Sequence, residues 1–323
     1  MARDLIRNER VFFQSHRGGM KEVPENTLAA LLHSWNYSGA VPEVDIRTTA
    51  DHVLVCIHDE TLDRTTNTLV KNHKVSETSF HELRKLDAGS FFSAEFLGQR
   101  VPSLEEIFSM LRSNPQRQLY LDLKDADLHE VVRLIERNGL QNQIIFVHEE
   151  ATVCEEISRV YESCRTMTWL EGGPEEIMEG FQQLRKNEFQ GLSQLQIHLR
   201  SKSQDTSYEL SDDFIEYAYN ETKKCNVELQ VRLFYFDPHS ITQLLKLGIH
   251  WFVTDTPREF ANALIILWGK SSMQGKRSGI TKNGRKKSLY IFGNIPQKNF
   301  LLCFRNIWKI RKDLNCIIFD VNF

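Results

Sequence analysis

The chain has 323 residues, 41% of them hydrophobic and 26% charged, which excludes collagen-like, coiled-coil and disordered classes on composition. Its net charge of −3 hides an asymmetry: residues 1–269 carry 28 basic and 41 acidic side chains, whereas residues 270–323 carry 12 and 2. An acidic body gives no support for broad nucleic-acid binding. In chain order, nine runs rich in β-branched and aromatic residues are expected as strands: 10–15, 41–47, 53–58, 118–124, 144–148, 166–170, 192–199, 227–234 and 251–254. Amphipathic patterns at 27–37, 103–112, 128–138, 153–163, 174–186, 212–225, 238–247 and 257–268 are expected as helices. Several have clear start signals, such as Ser103-Leu104-Glu105-Glu106 after Pro102.

Repeated strand-then-helix order implies a parallel sheet with crossover helices. Eight such units in a chain of this length point to an α/β fold closed as a TIM-type (β/α)8 barrel rather than an open sheet. One link departs from that order. Residues 48–52 are too few for a parallel crossover, which takes about a dozen. A hairpin with its tip near residues 50–51 is expected instead, bringing His58 opposite Glu43. Residues 64–100 are expected to form a small insertion at the barrel mouth, with a short helix over 80–86. The barrel domain is taken as 1–268, followed by a basic tail over 269–323. That tail admits three readings: a disordered arm, a segment touching an anionic membrane surface or a partner, or an out-of-frame C-terminus.

The first ten residues lack the apolar stretch and small-residue cleavage site of a secretory signal, and no apolar run reaches the roughly 20 residues of a membrane helix. A cytoplasmic location is therefore expected. The six cysteines (Cys56, Cys154, Cys164, Cys225, Cys303 and Cys316) form no CxxC pair and read as reduced structural thiols.

Four clusters carry chemistry. Ser15-His16-Arg17-Gly18-Gly19 follows the first strand, where an imidazole serves proton transfer and a guanidinium fork pairs with phosphate oxygens. Glu43-Val44-Asp45 places two carboxylates on one face of a strand, since positions i and i+2 share a face. Two acids facing inward repel and are costly to desolvate, and a divalent cation with oxygen ligands relieves both. His58-Asp59 ends the third strand with a second proton-transfer group. Asp122-Leu123-Lys124 adds a further carboxylate and an ammonium on a shared face. Singly, each also reads as a turn, a solvated edge, a structural histidine or an internal salt bridge. Together they sit at strand ends, where barrel active sites are built, and suit metal-assisted phosphoryl chemistry.

The string His16-Arg17-Gly18, Pro24-Glu25-Asn26-Thr27, Glu43-x-Asp45 and His58-Asp59-Glu60-Thr61-Leu62-Asp63-Arg64-Thr65-Thr66 resembles the glycerophosphodiester phosphodiesterase family. So do Val101-Pro102-Ser103-Leu104-Glu105-Glu106 and the closing Gly248 to Pro257 segment with its Thr254-Asp255-Thr256-Pro257. The resemblance implies a TIM-type barrel with one divalent cation, Mg²⁺ or Ca²⁺. It implies His16 and His58 as the general acid–base pair, Glu43 and Asp45 as metal ligands, and Arg17 as the phosphate holder. The family's third ligand is usually a glutamate in a Glu-x-Lys pattern. Asp122 stands at that place here, followed by Lys124 as a second phosphate-binding candidate. The late Trp-Thr pattern of the family is replaced by Val231-Arg232-Leu233-Phe234-Tyr235, and His250 stands for the usual aspartate of the closing strand.

The implied activity is hydrolysis of a small glycerophosphodiester to sn-glycerol 3-phosphate and an alcohol. Two alternatives remain open on sequence alone: a lysophospholipase-D-like phosphodiesterase acting on lysophospholipids, and a non-catalytic anion-binding barrel.

Overall fold

A computed structural model describes residues 10–201 and 208–274, all within a compact unit spanning Met1–Gly275. Most of the basic tail, and with it every reading of that tail, lies outside the described residues. Nine strands form: β1 (Phe12–Ser15), β2 (Ala40–Thr48), β3 (Leu54–Cys56), β4 (Leu119–Leu123), β5 (Ile144–Val147), β6 (Arg165–Leu170), β7 (Gln194–Leu199), β8 (Glu228–Leu233) and β9 (Trp251–Thr254). The helices are α1 (Leu28–Trp35), α2 (Phe80–Leu83), α3 (Leu104–Arg112), α4 (Leu128–Asn138), α5 (Ala151–Val160), α6 (Pro174–Lys186), α7 (Asp212–Lys224), α8 (Pro238–Lys246) and α9 (Pro257–Gln274).

Eight of the strands are parallel neighbours in the order β1-β2-β4-β5-β6-β7-β8-β9, and β9 pairs back onto β1, so the sheet closes into a barrel with helices between the strands. Alternation along each strand separates two layers. Val44 and Ile46 of β2 and Leu119, Leu121 and Leu123 of β4 pack outward with Leu104, Ile107 and Phe108 of α3. Tyr120, Ile145, Val147, Met167 and Trp251 fill the barrel interior, where Phe12 stacks on Trp251 with ring centroids 4.7 Å apart. The inward positions of β2 and β4 nearest their C-terminal ends are therefore the ones left for polar side chains.

The remaining strand, β3, runs antiparallel to β2 as the expected hairpin. Its register differs by one residue from the expectation. Ile46 faces Cys56, Arg47 faces Val55 and Thr48 faces Leu54, and the Ile57 N–H donates to the Asp45 carbonyl. His58 thus lies one step out of line with Glu43. The cause is the loop: Thr49 Oγ1 accepts from the Val53 N–H, and His52 takes a left-handed conformation at φ 60°, giving a five-residue turn. Between β3 and α3 the segment carries 3-10 turns at Val75–Glu77 and Ala94–Phe96 and the one-turn α2. Helix α5 begins and ends before the expected 153–163, because the chain must turn at Tyr161 to enter β6. Among the described residues no helix is long and apolar enough to cross a membrane.

Candidate active site

At the C-terminal end of the barrel a cavity of about 270 Å³ is lined by all seven residues singled out in the sequence: His16, Arg17, Glu43, Asp45, His58, Asp122 and Lys124. Gln14, Trp169, Glu171, Gln196, His198, Arg232 and Phe234 complete much of its wall.

The carboxylates meet through strand register. Asp45 of β2 is the parallel partner of Asp122 on β4, and Glu43 precedes Asp45 by two, on the same face. One oxygen from each of the three lies within 4.8 Å of the other two, and all three residues are buried. Burial, then the charges of Asp45 and Asp122, push the Glu43 carboxyl well above its usual range. Burial and Asp45 likewise push Asp122 up to about 6, against the pull of Lys124. Asp45 goes the other way: burial raises it, but Arg17, Lys124 and a bond from Asn26 outweigh burial and hold it low. Three hard oxygen donors that cannot all ionise cheaply in one buried cleft fit a divalent cation such as Mg²⁺ or Ca²⁺, and not a thiolate- or imidazole-seeking metal. Asp122, one methylene shorter than the glutamate of the family pattern, still reaches the cluster.

Two cations border the cluster. Lys124 Nζ lies 2.7 Å from Asp122 and 3.3 Å from Asp45. Arg17 sits in a tight 3-10 turn over His16–Gly18, itself left-handed at φ 50°, and its backbone N–H donates to Glu43 at 2.6 Å. Its Nη1 donates to Glu25 at 3.1 Å, and its Nε lies 3.5 Å from Asp45 without a hydrogen-bond partner. Gly18 makes the turn fit. At φ +79° a Cβ there would stand 2.5 Å from the Ala30 side chain of α1. Asn26 grips Asp45 twice, its Nδ2 donating to the carboxylate and its Oδ1 accepting the Asp45 N–H.

Each histidine is held by a carboxylate through Nδ1. His16 Nδ1 lies 2.9 Å from an Asp255 oxygen and 3.1 Å from Arg232 Nη2. The ionised carboxylate can only accept, so that bond makes Nδ1 the protonated nitrogen, and Arg232 donates to the same Asp255 oxygen at 3.1 Å. Lys21 lies 3.1 Å from the other Asp255 oxygen. Burial is the main cause that lowers His16 to about 4, with Arg232 and Arg17 adding to it against the bond to Asp255. Burial would raise Asp255, but His16 and Arg232 outweigh it and keep that carboxylate ionised. The Nδ1–H of His58 donates to Asp59 at 2.7 Å. In both, a bonded Nδ1 leaves Nε2 as the nitrogen able to exchange a proton.

Sequence reasoning did not assign roles to Asp255, Arg232 or His198. Asp255 belongs to a quoted motif, yet its contact with His16 spans 239 positions and has no local signal. Arg232 stands in β8, within the Val231–Tyr235 run that replaces the family's Trp-Thr pattern, and that replacement was the only cue. His198 is lowered to about 3 by burial first and then by Arg232 and His16.

The model of the glycerophosphoryl diester phosphodiesterase family matches residues 16–259 of the chain. A glycerophosphodiester phosphodiesterase from Caldanaerobacter subterraneus is 43% identical over 97 residues, covering 30% of this chain and 39% of that protein. The chain thus spans less than half the length of the curated relatives it matches. Among solved structures, a glycerophosphodiester phosphodiesterase from Agrobacterium tumefaciens aligns with a TM-score of 0.62 at 25% identity, over 78% of this chain and 99% of that one. An Oleispira antarctica phosphodiesterase, solved in complex with the product sn-glycerol-3-phosphate, aligns with a TM-score of 0.62 at 21% identity, over 79% and 96% of the two chains. Barrel, ordered motifs and a family match over residues 16–259 agree, and the chain belongs to the glycerophosphoryl diester phosphodiesterase family.

Proposed function

We propose that this protein is a divalent-cation-dependent phosphodiesterase that hydrolyses glycerophosphodiesters to sn-glycerol 3-phosphate and an alcohol. The observation that carries this reading is the juxtaposition, in one cavity, of the Glu43–Asp45–Asp122 cluster, two cationic side chains and two carboxylate-held histidines. The relatives named for this activity, and the product bound in the Oleispira structure, support the substrate class.

Glu43, Asp45 and Asp122 would hold the cation, which when bound supplies positive charge to the phosphoryl oxygens. Arg17 and Lys124 add charge on the same side and orient the phosphate by their donors. One imidazole takes at Nε2 the proton of the attacking water, whose oxygen bonds to phosphorus, and the other gives a proton to the alcohol oxygen that leaves it. Asp255 and Asp59 keep both Nδ1 atoms protonated, so neither ring turns its basic nitrogen away.

The test is release of glycerol 3-phosphate from glycerophosphocholine by the purified chain with Mg²⁺ or Ca²⁺, beside His16→Ala and His58→Ala. The expected outcome is turnover by the wild type and a loss of about 10²–10⁴-fold in each variant, the usual worth of a general acid or base. Equal rates in all three proteins would refute the roles given to the histidines. One observation favours a second reading. Phe234 lines the cavity while 48% exposed, next to Tyr235 at 54%, so the mouth has an apolar rim suited to the acyl chain of a lysophospholipid. Faster turnover of lysophosphatidylcholine than of glycerophosphocholine would select that reading.

A further inference from the structure

Arg64 lies outside the cavity lining and is 43% exposed, yet it joins two of the groups that hold the site. Its Nη1 and Nη2 donate to the two oxygens of Glu25 at 2.7 and 2.8 Å. Its Nε and Nη2 donate to the two oxygens of Asp59 at 2.6 and 2.9 Å. Each carboxylate has a second partner inside the cavity. Glu25 accepts from Arg17, and Asp59 accepts from the Nδ1–H of His58. A continuous chain therefore runs His58–Asp59–Arg64–Glu25–Arg17.

We propose that Arg64 is a positioning residue that fixes the His58 imidazole and the Arg17 guanidinium relative to each other. The inference rests on the reading above, in which His58 moves a proton and Arg17 holds the phosphate. Its physical basis is the fork of the guanidinium. A planar cation with five donors can grip two carboxylates in two-bonded fashion at once, which a lysine ammonium cannot do. Without Arg64, Glu25, only 4% exposed, keeps Arg17 as its one cationic partner and draws that guanidinium away from a phosphate. Asp59 at the same time loses the clamp that aims it at His58. A plain surface ion pair contributes little and only to stability, so its loss would leave rate and affinity alone.

The experiment compares Arg64→Lys and Arg64→Ala with the wild type, as the full chain with saturating cation. Three quantities are read: kcat and KM for glycerophosphocholine, affinity for inorganic phosphate, and the proton NMR signal of the His58 Nδ1–H. The expected result for Arg64→Lys is a melting temperature near that of the wild type. Its kcat should fall about tenfold to a hundredfold, in the range that an ångström-scale misplacement costs. Its KM should rise, its phosphate binding weaken and its His58 signal broaden. Arg64→Ala should lose more, and millimolar guanidinium should restore part of the rate through the exposed site. Wild-type kcat, KM, phosphate affinity and His58 signal in Arg64→Lys would overturn the inference. Should the wild type itself turn over no glycerophosphodiester with either cation, the functional reading fails. The phosphate affinity and the His58 signal then still decide the role of Arg64.

Discussion

Asp122 and Glu43 carry raised pKa values for a reason that cation binding removes. Burial and mutual repulsion favour their protonated forms, and Asp122 reaches about 6. Protons must therefore leave when a divalent ion enters, so affinity should fall as the pH drops through about 6. Calorimetric titration with Mg²⁺ in two buffers of different ionisation enthalpy checks this. Proton release that grows as the pH falls through about 6 is the expected result. His198 gives a second residue-scale prediction. Its pKa is lowered from 6.5 to about 3, chiefly by burial, so between these values the unfolded chain binds a proton that the folded chain refuses. Its stabilising contribution is complete above pH 6.5 and is lost progressively as the pH falls toward 3. The urea-midpoint advantage of the wild type over His198→Gln should narrow over that window. The residues that bear charge in local motifs were legible in the sequence. Asp255 and Arg232 were not, because their meaning comes from contacts with His16 made across the closed barrel.

At the scale of elements, the turn after β1 and the start of α3 show how local chemistry sets the site. The His16–Gly18 turn works only while Gly18 stays small and left-handed. Gly18→Ala should cost at least about 1–2 kcal/mol, the penalty of a side chain in that conformation, and should weaken phosphate binding by moving Arg17. A urea midpoint and a phosphate titration read the two effects separately. Ser103 caps α3 in a reciprocal box with Glu106, and α3 packs against the outer faces of β2 and β4. Ser103→Ala should cost about 1 kcal/mol with little change in rate, since the cap touches no cavity group. Element order was readable because each strand and helix carries its own period and start signal. The hairpin was predictable from loop length alone, whereas its register was not. Thr49 and the left-handed His52 hold the five-residue turn at 49–53 rather than at the 48–52 that the strand patterns suggest, and that shifts His58 against β2.

For the whole molecule, closure of β9 onto β1 brings Asp255, at the far end of the matched family region, beside His16 at its beginning. The fold was legible through eight strand-helix units and the resemblance of the motifs. The shape of the cavity was not, because Trp169, Gln196 and His198 come from strands with no motif of their own. Cation binding at the mouth should stabilise the entire barrel, by about 2.7 kcal/mol at a hundred times the dissociation constant. Mg²⁺ or Ca²⁺ should accordingly raise the melting temperature of the wild type and leave that of Asp122→Asn nearly unmoved. The most direct measurement of the central claim is glycerol 3-phosphate release from glycerophosphocholine by chain stripped with EDTA and then resupplied with Mg²⁺ or Ca²⁺. The expected result is no release from the stripped protein, recovery with at least one of the two cations, and no recovery in Asp122→Asn. Turnover that survives EDTA, or that Asp122→Asn recovers as fully as the wild type, would contradict the cation site formed by Glu43, Asp45 and Asp122.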